Sequence, residues 1–291
     1  MVATMACAAV IWPGFTGTAT AESPVRAASC GTPLDAGEIA TIRALSDTET
    51  VAATEPIQRL EEVADRNHRI SEILVAHGDR RGLFALMDDI ADRVTVLPLL
   101  RAGDGLTDPA RQAEFYLGNY DSWLGALHAD FTGVPVSRYW TRYFDLAAEC
   151  SESAAYTAMV GYNAHMSVDI PRSLADAGVG VADRSDYFRL LDAIAVNSSL
   201  LVDTTKAAYN ADVGPLWRFY FFGEGLDRVT GPGVGSKALL RGALTGINAA
   251  NLANGIGLAD PAARGATNGV VDAQWAAVDG VLAALTRAHG L

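Results

Sequence analysis

Apolar residues recur at three- and four-residue spacing along most of this chain, the period of helices that bury one face. Asp35-Ala36-Gly37-Glu38 has the form of a capping box ahead of Ile39, Ile42 and Leu45. Pro56 opens a longer segment carrying Ile57, Leu60, Val63, Ile70, Ile73 and Leu74, which Gly78 closes. Gly82 to Leu100 repeats the pattern, and Asp108-Pro109 caps a helix to about Leu127 with Phe115, Tyr116, Tyr120 and Trp123 along it. Pro135 precedes an aromatic helix with Tyr139, Trp140, Tyr143 and Phe144; another helix covers about Ser153 to Asp169. Ala175 to Val181 reads as a loop, and Ser185 caps a helix through Asn197. Trp217 to Phe222 fits helix or strand, and Val270 to His289 closes the chain as an amphipathic helix. No alternating strand pattern and no fixed-period repeat occurs. The expectation is an all-α, single-domain bundle of about nine to eleven helices.

The N-terminus changes the picture. Met5 to Phe15 is apolar and small, and Ala19-Thr20-Ala21 is an A-x-A cleavage pattern before Glu22. Residues 1–21 are therefore expected to be a secretory signal peptide, without its usual basic start. Residues 22–34 read as an N-terminal arm and 35–291 as the helical domain. Cleavage removes Cys7, leaving Cys30 and Cys150, the simplest content for one disulfide in a secreted or cell-envelope protein. Two buried thiols are the alternative.

Half of the 291 residues are hydrophobic, enough for a sizeable core. Lysine is confined to Lys206 and Lys237, and the formal net charge is −12, which argues against nucleic-acid or anionic-membrane partners. No stretch after the signal has the roughly twenty apolar residues of a transmembrane span.

The most informative segment is Gly161-Tyr162-Asn163-Ala164-His165-Met166-Ser167-Val168-Asp169-Ile170-Pro171. On a regular helix His165 and Asp169, four apart, share a face with Ala158, Gly161 and Tyr162. Pro171 disfavours helical geometry at Ile170, so the helix is expected to end or bend there. That leaves Asp169 at the negative end of a helix dipole, unfavourable by roughly 0.3–1 kcal/mol without a compensating cation. A divalent metal, a carboxylate–imidazole pair poising a general base, and a hydrogen-bonded network joining helices all fit this spacing. His128 is the further candidate metal ligand, with Asp121 and Asp130 near it in sequence. His68 reads as a surface residue, His77 as a helix-end cap and His289 as solvated.

Other patterns fail. Gly231-Pro-Gly-Val-Gly-Ser-Lys237 lacks the second glycine of a phosphate loop and follows no strand. There is no G-x-S-x-G elbow. Asn197-Ser198-Ser199 matches a glycosylation sequon but sits in a helical pattern.

Residues Asn163 to Pro171 resemble the N-A-H-I-N-x-D-L-P signature of a bacterial exported domain-of-unknown-function family. Asp186-Tyr187-Phe188 and Val196-Asn197 match its later acidic-aromatic and V-N pairs, over a span from about Leu83 to Tyr220. Ser167 departs from that signature. The resemblance implies an all-α fold and a site near His165, but no reaction. A weaker similarity, carried by H-x-x-x-D at His165 and Asp169, is to the zinc-dependent phospholipase C and single-strand nuclease superfamily. That superfamily's further histidines and N-terminal tryptophan have no counterpart here.

Two functions follow as expectations. One is an exported hydrolase, possibly metal-assisted, acting on an ester or phosphoester of an envelope lipid or small metabolite. His165 and Asp169 would be catalytic or, with His128, would hold one divalent ion, zinc first; Asn163 and Asn197 would orient substrate. The other is a non-catalytic exported binding protein, with an apolar ligand in an aromatic pocket of Tyr116, Tyr120, Trp123, Trp140 and Tyr162. In a third reading the His165–Asp169 pair only locks helices together.

Overall fold

The computed structural model describes residues 29–217, 220–288 and 291. The expected signal peptide, Cys7 and His289 lie outside them. The described residues are helical, with no strand among them. In chain order the helices are α1 (Ala36–Ser46), α2 (Pro56–His77), α3 (82–102), α4 (Pro109–Thr132), α5 (Arg138–Ala148) and α6 (154–176). They continue with α7 (Arg184–Val196), α8 (Ser198–Tyr209), the single turn α9 (Gly214–Trp217), α10 (Tyr220–Thr230), α11 (Val234–Ala259) and α12 (Arg264–Arg287). Eleven of these twelve are seven residues or longer, as the hydrophobic pattern requires.

The Asp35 and Asp108 caps work as written, whereas Ser185 lies inside α7, which opens at Arg184 behind Asp183. The Asp35 side chain accepts from the Glu38 backbone N–H while the Glu38 side chain accepts from that of Asp35, both at 2.8 Å. Asp108 caps α4 through the Arg111 N–H, and Ser153 caps α6 through that of Tyr156. The stretch whose type the sequence left open divides into α9 and the start of α10.

Pro171 does not end its helix. Ala154–Ala164 runs through a π-turn, His165–Asp169, into Ile170–Asp176, so most of the expected loop after Ala175 begins only beyond the helix. Proline offers no N–H, and its ring clashes with the carbonyl four residues back. The chain answers by widening: the Ile170 N–H donates to the His165 carbonyl, five residues back. The same device recurs in α3, where Gly82–Ala91 passes through a π-turn, Asp92–Val96, before Leu97–Ala102 with its Pro98. There the Leu97 N–H donates to the Asp92 carbonyl. Such π-turns are rare and recur at functional sites.

One hydrophobic cluster extends from Leu34 to Leu282. Its centre is aromatic: Phe84 of α3 packs against Trp123 of α4 and Trp140 of α5, each pair with ring centroids 5.0 Å apart. The first half of α6 is buried on nearly every side, which suits a helix apolar all round. It reaches that depth because Gly161 has no side chain: a Cβ there would lie 2.8 Å from the Tyr143 ring. The small residue makes room for the neighbouring helix α5.

Cys30 and Cys150 are disulfide-bonded with Cα atoms 5.2 Å apart, within the usual range. The bond fastens the arm before α1 to the turn after α5. The Thr32 N–H donates to the His77 carbonyl and the Arg80 N–H to that of Ser29, each at 2.8 Å. Gly31 is required at this crossing, since a Cβ would sit 2.1 Å from the His77 oxygen. Nearby, fully buried Arg81 pairs with Asp79 at 2.6 Å and with Asp130 at 3.3 Å, and lies 4.1 Å from the Phe131 ring centre. No described helix is long and apolar enough to cross a membrane.

Candidate functional site

His165 and Asp169 both lie in the π-turn, and no hydrogen bond or ion pair joins them. Asp169 turns into the core, where its Oδ2 accepts from Trp140 Nε1 at 3.1 Å. Burial pushes its carboxyl up to about 8, against the opposing pull of that bond and of Arg172. Near pH 7 it is mostly the neutral acid, so the α6 dipole needs no compensating cation there.

His165 makes no such bond. Its ring lies 5.2 Å from that of Phe84, its Nδ1 is buried without a hydrogen-bond partner, and burial lowers it to about 4. The imidazole is therefore neutral. The accessible surface it keeps is on a cavity between α3, α4, α6, α7 and α11, whose walls include Met87, Phe115, Tyr162, Met166, Ile194 and Trp217. The cavity measures about 60 Å³ by where the centre of a water molecule can sit, room for a few waters or a small ligand group.

The polar end of this cavity was not anticipated. Asp88 and Asp92 of α3 line it, one turn apart, with Tyr116 and Asn119 of α4 opposite. Asp88 is raised well above the ordinary carboxyl range by burial first, then by the neighbouring Asp92, Asp89 and Asp169. Burial likewise brings Asp92 up to about 7. The Tyr120 hydroxyl, with no close hydrogen bond of its own, leans toward both acids and partly offsets the rise. The Tyr116 hydroxyl and Asn119 Oδ1 also lack partners, although both residues are 5% exposed. Buried polar atoms are nearly always bonded, so several orphans around one space mark a place built to be filled. A signal was present: Phe84, Asp88 and Asp92 repeat at four-residue spacing, which puts two acids on the face of an aromatic core residue.

The remaining expected site residues lie elsewhere. His128 Nδ1 faces the Arg43 carbonyl at 3.0 Å and the Ser46 hydroxyl at 3.2 Å, tying α4 to α1. Asp121 lines a separate surface groove with Glu114 and Ser173. Asn163 donates to the Trp275 carbonyl of α12 at 3.0 Å and accepts from Ser167, so it works between helices, away from the cavity. Asn197 donates to Thr95 Oγ1 at 3.1 Å, bracing the π-turn of α3. Trp123 donates to buried Asn67 at 3.0 Å and stays in the core with Trp140, while Tyr116 and Tyr162 reach the cavity. His68 is half-buried against Asp89 at 2.9 Å rather than on an open surface.

The expected zinc ligands do not converge. Among the described residues no group of three or more His, Cys, Asp or Glu side chains is placed to hold a metal ion. Comparison of the chain with protein-family models, with curated proteins and with solved structures found no match. The resemblance carried by Asn163 to Pro171 rests on those residues themselves.

Proposed function

We propose that this is an exported, non-catalytic binding protein that takes a small ligand, apolar along its body and polar at one end, into the cavity beside His165. The observation that carries the reading is a mostly apolar cavity whose lining also holds the polar residues Asp88, Asp92, Tyr116, Asn119 and His165. Pockets of this kind combine mostly apolar lining with a few convergent polar groups. Export is supported by the Cys30–Cys150 bond, which persists in oxidising compartments.

Met87 and Met166 line the cavity and Met159 does not, which supplies the test. With methyl-labelled methionine, titration with short alcohols and amines is expected to shift the Met87 and Met166 signals saturably while that of Met159 stays. Uniform shifts, or none, would overturn the reading.

A second reading is metal-free ester hydrolysis, favoured by the unpaired Nδ1 of neutral His165 on the cavity wall, the state a general base requires. It predicts turnover of short-chain esters that disappears in His165→Ala; equal rates in the two proteins exclude it.

A further inference from the structure

The charge around the cavity points in one direction. Two carboxyls line it, and no lysine or arginine does. The adjacent acid Asp89 is supplied with partners by the chain itself: His68 at 2.9 Å and Arg93 at 3.6 Å. Arg93 also reaches Asp65 at 3.1 Å, and Arg172 stacks over Tyr139. Asp88 and Asp92 have no ion pair among the described residues, yet both line the space. An anionic ligand would bring negative charge beside two acids. A cation would supply the charge that the fold leaves out.

Resting on the binding reading above, we infer that the cavity selects a small organic cation, a primary alkylammonium whose head lies among Asp88, Asp92 and Asn119. An ammonium brings three N–H donors and no acceptor. The cavity wall offers matching acceptors in the two carboxyls, and Asn119 and His165 are also in its lining. Tyr116 can accept through its hydroxyl, and Phe84, Tyr162 and Trp217 add aromatic walls that attract a cation. Burial pushes both carboxyls upward, Asp92 to about 7, and neighbouring acids add to the rise; a bound ammonium favours their ionised form, making each contact a charge-assisted hydrogen bond. The small volume confines the ligand to a short alkyl chain.

The test uses the full mature chain and three probes of matched size: n-butylamine, 1-butanol and butyrate, followed at the Met87 and Met166 methyl signals. At pH 7.5 the amine is expected to bind at least about ten-fold more tightly than the alcohol, with butyrate not binding. Asp88→Asn should bring the amine-to-alcohol ratio close to one. Where that variant fails to fold by circular dichroism, Asp92→Asn replaces it, and the three-probe ranking on the unaltered chain decides by itself. Equal binding of amine and alcohol overturns the cation inference while leaving the pocket reading standing. Preference for butyrate overturns the inference as well. Failure of all three probes removes both.

Discussion

Asp169→Asn should make this protein more stable, and increasingly so as the pH rises. The carboxyl is buried and its protonation midpoint moves from 3.8 to about 8 on folding. A carboxyl raised in the folded state binds its proton more tightly there than in the unfolded chain. Its contribution is therefore fully present below pH 3.8 and is lost as pH climbs through 8. At 1.36 kcal/mol per pH unit, the native state gives up about 2 kcal/mol relative to a neutral side chain by pH 5 and about 5 kcal/mol by pH 8. Asparagine is neutral throughout, and its carbonyl can still accept from Trp140 Nε1. The assay is urea unfolding followed by tryptophan fluorescence at pH 5, 6, 7 and 8, with the two proteins subtracted at each pH. Asp88 and Asp92 are common to both chains and largely cancel in the difference. The gap between variant and parent is expected to widen by about 3 kcal/mol from pH 5 to pH 8. A gap that stays flat with pH would refute the argument, because it would mean that Asp169 does not carry its proton in the folded core.

Two further outcomes follow from packing and covalent structure. Gly161→Ala puts a methyl group 2.8 Å from the Tyr143 ring and should cost roughly 1–3 kcal/mol by overpacking, read as a lower urea midpoint at unchanged slope. Cys30→Ser opens a link between residues 120 apart in sequence; it should cost roughly 2–5 kcal/mol, and the melting temperature of the variant should no longer respond to reductant while that of the parent falls.

The helices were legible because their signals are local. The Asp35–Glu38 box, Pro56, the Asp108 cap and the Ser153 cap each act within one turn. The apolar period needs only the neighbouring residues to say which face is buried. The Cys30–Cys150 pairing was likewise readable, since the expected loss of residues 1–21 leaves one way to pair two cysteines.

The site was legible only in part. Attention fell on His165, because a histidine among small buried residues stands out, and it lines the cavity. Its pairing with Asp169 assumed α-helical spacing, and the π-turn that accommodates Pro171 sends Asp169 to Trp140 instead. Asn163 and His128 were plausible by residue type, yet each is spent on a helix contact: Trp275 for one, Arg43 and Ser46 for the other.

By itself, then, the sequence determined an all-α chain, the starts of several helices and the cysteine pairing, since propensity, capping and periodicity act within a few residues. Only the tertiary structure decided which polar side chains meet. Asp88 and Asp92 become a cavity wall because α4 and α6 set Tyr116, Asn119 and His165 across from them. Juxtaposition across helices depends on packing angles and on the extra residue in each π-turn, and no local pattern along the chain encodes either.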